Sequence, residues 1–147
     1  MTDAGQSAQF TKHVRAAPED AAQIRREFSS WLSTHFTLDP TKASDVILAV
    51  NEALANAAEF AYADAPTPGL LHVHADYDGD ASVLTVTVSD DGVWRISESG
   101  HKNPVRGRGI PLMRALTDRA LIDSGHAGTE VRLQWDEIDQ NCGNRTT

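Results

Sequence analysis

Four short stretches of this sequence carry side chains whose types and spacing could do chemistry. Glu52 and Asn56 lie four residues apart in a run with helical periodicity, so both point to one face. The Asn56 carboxamide oxygen suits a hard cation such as Mg²⁺, and Glu52, one turn earlier, can accept a proton from a hydroxyl or water. Beside an apolar stripe such a pair is expected at the edge of a pocket, although taken alone it is more often a solvated helix flank. Asp90-Asp91-Gly92-Val93-Trp94 follows a β-rich run directly. There a strand-end carboxylate can accept a hydrogen bond from an exocyclic amine, and Gly92 lets a flat base approach the backbone. An ordinary Asp-Gly turn is the plain alternative. Gly107-Arg108-Gly109-Ile110-Pro111-Leu112 runs into a helix, where free N–H groups make an anion site. Gly128-Thr129 opens the last strand and offers a hydroxyl.

The elements that must position these groups are legible in the apolar spacing. Gln9 to Arg15 alternates loosely and reads as an edge strand. Pro18-Glu19-Asp20 starts a helix whose stripe Ile24, Phe28, Trp31 and Leu32 ends near His35. Asp39 and Pro40 cap and open a second helix, expected from Thr41 to about Ala61, with Val46, Ile47, Val50, Ala53, Leu54 and Ala57 inward. Ala65-Pro66-Thr67-Pro68-Gly69 ends it. Leu70 to Tyr77 and Ser82 to Ser89 form an antiparallel hairpin around Asp78-Gly79-Asp80-Ala81, with Val83, Leu84, Val86 and Val88 in the core. Asp90 to Arg106 is a loop longer than compact domains use without a functional reason. Gly107 to Asp118 feeds a short helix with Leu112, Ala115 and Leu116 inward, and Ala120 to Asp123 and Thr129 to Trp135 complete the strands. Together these describe an α+β fold, a two-layer α/β sandwich in which helices cover one face of a mixed or antiparallel sheet.

Composition narrows the function classes. Apolar residues at 40% and charged residues at 23% are globular values, so one domain over 9–136 is expected, with polar, fraying ends at 1–8 and 137–147. A net charge of −8 disfavours a nucleic-acid partner, because phosphate backbones repel it. The stretch MTDAGQSAQFTKHVRA has no apolar core of a signal peptide, and no run approaches a membrane span. The one cysteine, Cys142, has no partner for an internal disulfide, which fits a reducing compartment. The expectation is a cytoplasmic protein with no membrane partner.

In this order the four clusters resemble the N box, G1 box, G2 box and terminal G-T motif of the GHKL ATPase superfamily, over about Val46 to Leu133. Within it the chain is most similar to the bacterial anti-sigma-factor serine/threonine kinases, small domains with N-E-A-x-x-N-A in the helix and G-R-G-hydrophobic in the G2 box. Asn51-Glu52-Ala53-Leu54-Ala55-Asn56-Ala57 and Gly107-Arg108-Gly109-Ile110 match those patterns.

The resemblance implies a Bergerat-type site for ATP and Mg²⁺, within the histidine-kinase-like ATPase fold. In it Glu52 would be the general base, Asn56 the Mg²⁺ ligand, and Asp90 with Gly92 the adenine reader. Gly107 and Gly109, beside Ile110, would cradle phosphate, and Thr129 would reach the base. Arg106 and Arg108 could steady phosphate oxygens, whereas Lys102 is read as a solubilising charge. The implied partners are a sigma factor and a STAS-type anti-sigma antagonist that receives the phosphoryl group, and a homodimer stays open. Two positions depart from the pattern. Trp94 stands where the G1 box has a second glycine, and Phe60 where the family often has a histidine. They leave an alternative in view: a non-catalytic nucleotide-binding module that sequesters a sigma factor or other partner. A sensor histidine kinase would need a phospho-accepting histidine on a dimerising helix pair, which no segment supplies, and all six histidines are read as structural or exposed.

Overall fold

A computed structural model of the chain describes residues 9–15, 17–57, 69–90, 111–125 and 128–138. Strand β1 (Gln9–Arg15) leads into helices α1 (Pro18–His35) and α2 (Pro40–Asn56). Strands β2 (Leu70–Asp78), β3 (Val83–Asp90), β4 (Arg119–Gly125) and β5 (Gly128–Trp135) follow. The five strands form one sheet in the order β1-β2-β3-β5-β4. Every neighbouring pair is antiparallel, which resolves the mixed-or-antiparallel expectation.

Local chemistry explains where the helices start. Pro18 takes the first turn of α1, where its missing N–H costs nothing, with Glu19 and Asp20 beside it; the Ala17 carbonyl accepts from Ala21 N–H at 2.9 Å. In α2 the Asp39 side chain accepts from the Lys42 N–H at 3.2 Å, the cap its sequence position predicts. The backbone is still helical at Ala57, so the expected extension to Ala61 lies outside the described residues.

Both helices bury one stripe against one face of the sheet. Ile24, Phe28, Trp31 and Leu32 of α1 are buried, as are Val46, Ala49, Val50, Ala53 and Leu54 of α2. Ile47, expected inward, is only partly buried. An aromatic chain ties α1 to β1 and β2. Phe10 meets Phe28 edge-on at 5.7 Å, Trp31 meets Phe36 at 5.3 Å, and Phe36 meets Tyr77 at 4.9 Å between centroids. On the sheet, period-2 alternation sends Leu71, Val73, Ala75 and Tyr77 of β2, Leu84, Val86 and Val88 of β3, and Val131, Leu133 and Trp135 of β5 to the helix side.

Three details differ from the sequence expectation. Ser82 belongs to the turn, with φ of 59°, and β3 starts at Val83; Val83 is therefore only half-buried, since the inward set begins at Leu84. The turn is shaped by the Asp78 carboxylate, which accepts from the N–H groups of Asp80 and Ala81 at 3.0 and 3.3 Å. Residues 111–116 are helical, but the residue they bury is Met113, while Ala115 is exposed. Finally, Ile138, placed by the sequence in the polar tail, is fully buried. Its N–H donates to the Ser82 carbonyl at 2.9 Å, and its carbonyl accepts from Tyr77 OH at 2.6 Å.

Candidate functional site

The described residues include three buried polar or charged side chains, Asn56, Asp90 and Thr129, at 2%, 5% and 2% exposure. Each is carried inward by the periodicity of its own element. Asn56 follows Ala49 and Ala53 by seven and three residues, on the stripe with which α2 packs over β3 and β5. Asp90 follows Leu84, Val86 and Val88 at period two and ends β3. Thr129 precedes Val131, Leu133 and Trp135 in the same way. The β3–β5 register sets Asp90 directly opposite Thr129, and Leu71 of β2 stands on the other side of Asp90. A carboxylate and a hydroxyl thus share one end of the inner sheet face.

Burying polar groups costs free energy unless something pairs with them. The Asn56 Nδ2 has no hydrogen-bond partner among the described residues. A carboxamide turned about its terminal bond exchanges nitrogen for oxygen, so the orphaned position can equally offer an oxygen donor. Glu52, one turn earlier on α2, is half-buried rather than enclosed. It can therefore meet a group that approaches from solvent. Asn56 is deeper than the sequence expectation of a pocket edge.

The remaining sequence-predicted positions, Gly92, Arg106, Gly107, Arg108, Gly109 and Ile110, lie outside the described residues, as do Phe60, Trp94 and Lys102. Residues 111–116, which follow the glycine motif at once, are helical as that motif requires. A groove of about 340 Å³ between α1 and α2, lined by Leu32, Phe36, Leu38 and Ile47 among others, contains none of the predicted site residues. Ile47 and Asn56 are nine residues apart on α2, or about 14 Å along the axis. Among the described residues no group of three or more His, Cys, Asp or Glu is arranged to hold a metal, and no helix is long and apolar enough to cross a membrane. What sequence reasoning did not single out is Leu71, the apolar neighbour of Asp90. Its place opposite Asp90 follows from strand register alone.

A family profile described as a histidine kinase-like ATPase domain matches residues 14–135. Among solved structures, the chain is similar to the RsbU and RsbW domains of Rv1364c from Mycobacterium tuberculosis. The TM-score is 0.66 at 23% identity, covering 90% of this chain and 34% of that one. It is also similar to the histidine kinase domain of the blue-light activated histidine kinase of Erythrobacter litoralis EL346, with a TM-score of 0.52 at 24% identity, covering 65% and 45%. A further structure of that kinase gives 0.53 at 24% identity, covering 65% and 30%. At these identities the likeness is one of fold. The chain spans less than half the length of each of these solved chains.

Proposed function

The chain belongs to the histidine kinase-like ATPase domain family, and from that premise we propose that it binds ATP with Mg²⁺ between α2 and the sheet and phosphorylates a serine or threonine of a partner protein. The observation that carries this reading is the identity of its buried polar residues. Asn56, Asp90 and Thr129 are the three among the described residues, and motif chemistry points to each of them independently. Sites that bind ligands are where a fold retains polar groups that its core alone would disfavour.

In this reading the Asp90 carboxylate accepts from the exocyclic amine of adenine, and the Thr129 hydroxyl supports the same base from the neighbouring strand. The Asn56 carboxamide oxygen would hold Mg²⁺, a hard cation that takes one or two protein oxygens and keeps the rest of its shell for waters and phosphates. When bound, Mg²⁺ would offset charge on the phosphate oxygens during transfer. Glu52 takes the proton from the incoming hydroxyl at its carboxylate as that oxygen attacks the γ-phosphorus of ATP and ADP leaves. Gly107 and Gly109 cradle phosphate, with Arg106 and Arg108 beside it, a role that rests on the motif. The N-E-A-x-x-N-A match at 51–57 supports the anti-sigma kinase type, with a sigma factor bound and a STAS-type antagonist as substrate.

Calorimetry with ATP, with and without Mg²⁺, tests the site. Wild type should bind more tightly with Mg²⁺, and Asn56→Ala should lose that dependence. No heat with ATP or ADP from folded protein would remove the proposal. Trp94 and Phe60 favour a second reading, a nucleotide-dependent sequestering module without transfer. Labelled ATP offered with candidate antagonists separates the two, because phosphoserine or phosphothreonine that disappears in Glu52→Ala belongs to the kinase alone.

A further inference from the structure

The sheet face turned away from the helices carries a feature unrelated to the nucleotide site. Alternation in β1 sends Phe10, Lys12 and Val14 toward the helices and Gln9, Thr11, His13 and Arg15 outward; in β2 it sends His72, His74 and Asp76 outward. The antiparallel register sets His13 opposite His72. Their rings cross nearly edge-to-face, 68° apart with centroids at 4.9 Å, and the two Nδ1 atoms are 2.6 Å apart. One ring must donate Nδ1–H and the other accept, since two lone pairs do not face each other without a cation between them.

We propose that His13 and His72 form a two-histidine site for a divalent cation of the zinc class, in which the metal replaces the shared proton. Zn²⁺ takes imidazole nitrogens at about 2.0–2.1 Å, so a tetrahedral pair stands about 3.3 Å apart. The present Nδ1 separation of 2.6 Å needs an opening of about 0.7 Å, a small rotation for an exposed and a half-exposed ring. Water fills the other positions. His74, the next outward residue of β2, keeps its Nδ1 on Thr11 Oγ1 at 2.9 Å and is not a ligand. The same sheet row continues through Ser89 and Glu130 to Asp123, and the Glu130 carboxylate is held by Arg132 at 2.9 Å. Imidazole donors select zinc, copper or nickel over magnesium, so the site is chemically separate from the oxygen donor at Asn56.

The consequence is mechanical as well as chemical. Among the described residues β1 ends the sheet and pairs with β2 alone, so a metal across His13 and His72 clamps an edge strand. The metal needs both Nδ1 atoms free of protons, so it competes with protons for the pair.

The test is a titration of the tag-free full chain with Zn²⁺ alone, near pH 7.5, followed by calorimetry and by imidazole ¹⁵N resonances. One saturable site per chain is expected, weakened about tenfold or more in His13→Asn and in His72→Asn but not in His74→Asn or Asn56→Ala. Excess Mg²⁺ should not compete. The thermal midpoint should rise with Zn²⁺ in wild type and stay still in both pair variants. Absence of saturable binding overturns the proposal. So does a zinc affinity that is unchanged in either pair variant, or that falls in His74→Asn alone. The titration contains no nucleotide, so failure of the zinc site and failure of the nucleotide site are read separately.

Discussion

Asn56 is enclosed to 2% exposure with an amide nitrogen that no described residue satisfies. An unmet buried donor costs about 1–3 kcal/mol, so a fold judged on stability alone would place alanine there, like its neighbours Ala53 and Ala57. Asn56→Ala is therefore expected to unfold in urea within about 1 kcal/mol of wild type, or above it, while losing its response to Mg²⁺. A variant that lost several times that stability would identify Asn56 as a structural residue. Asp90 makes a different prediction. Asp90→Asn keeps the volume but removes the charge, and a hydrogen bond to a charged group contributes about 1.5–3 kcal/mol. ATP and ADP affinity should each fall by about tenfold or more, equally with and without Mg²⁺. An effect confined to the Mg²⁺ complex would place Asp90 beside the metal instead.

At the scale of elements, Asn56, Asp90 and Thr129 face inward because the helix or strand that carries each one repeats. The same rule places Lys12 on the helix side of β1, where it pairs with Glu27 of α1 at 2.8 Å and so joins strand to helix. The Glu27 carboxyl is held below its ordinary pKa, first by the hydrogen bond from Gln23 one turn earlier and then by Lys12. A folded-state carboxyl that is the stronger acid contributes stability above the unfolded chain's pKa. That contribution is lost as pH falls through the lower folded value. Gln23→Ala and Lys12→Met should each raise the Glu27 titration midpoint, read from side-chain carboxyl ¹³C shifts. Both variants should show a shallower loss of stability in the acid range than wild type. A midpoint unmoved in both would remove these contacts as the cause.

For the whole molecule, the strand order β1-β2-β3-β5-β4 brings together segments distant in sequence, and α2 packs over β3 and β5, the strands that carry Asp90 and Thr129. Closure of this unit depends on a segment beyond the last strand. Trp135 Nε1 donates to the Leu116 carbonyl at 2.8 Å, Asp136 N–H to the Asp118 carboxylate at 2.7 Å, and Tyr77 OH to the Ile138 carbonyl at 2.6 Å. These bonds hold the end of β5 and the residues after it against the segment before β4 and the end of β2. Tyr77→Phe leaves the Ile138 carbonyl without that donor and should cost about 1–2 kcal/mol by urea unfolding. It should also speed amide exchange at Ile138, whose N–H is held by Ser82. Unchanged stability would mean that water replaces the lost hydroxyl.

The sequence by itself determined most of the elements and most of their inward positions. β1 spans Gln9–Arg15, α1 ends at His35, and the stripe through Phe28 and Leu32 is buried, all as read from local spacing. These are short-range properties: a cap, a proline or a repeat of 2 or 3.6 acts within a few residues. The same locality made Glu52, Asn56, Asp90 and Thr129 visible as candidates, through motifs a few residues long. Only the tertiary structure decided how deep each one lies and who stands beside it. The pairings Asp90 with Thr129, Tyr77 with Ile138 and His13 with His72 join residues 39, 61 and 59 positions apart. Any two alternating strands could pair in several registers, and the choice among them is made by the packing of the whole inner face, where a slip of one residue would turn every core side chain to solvent.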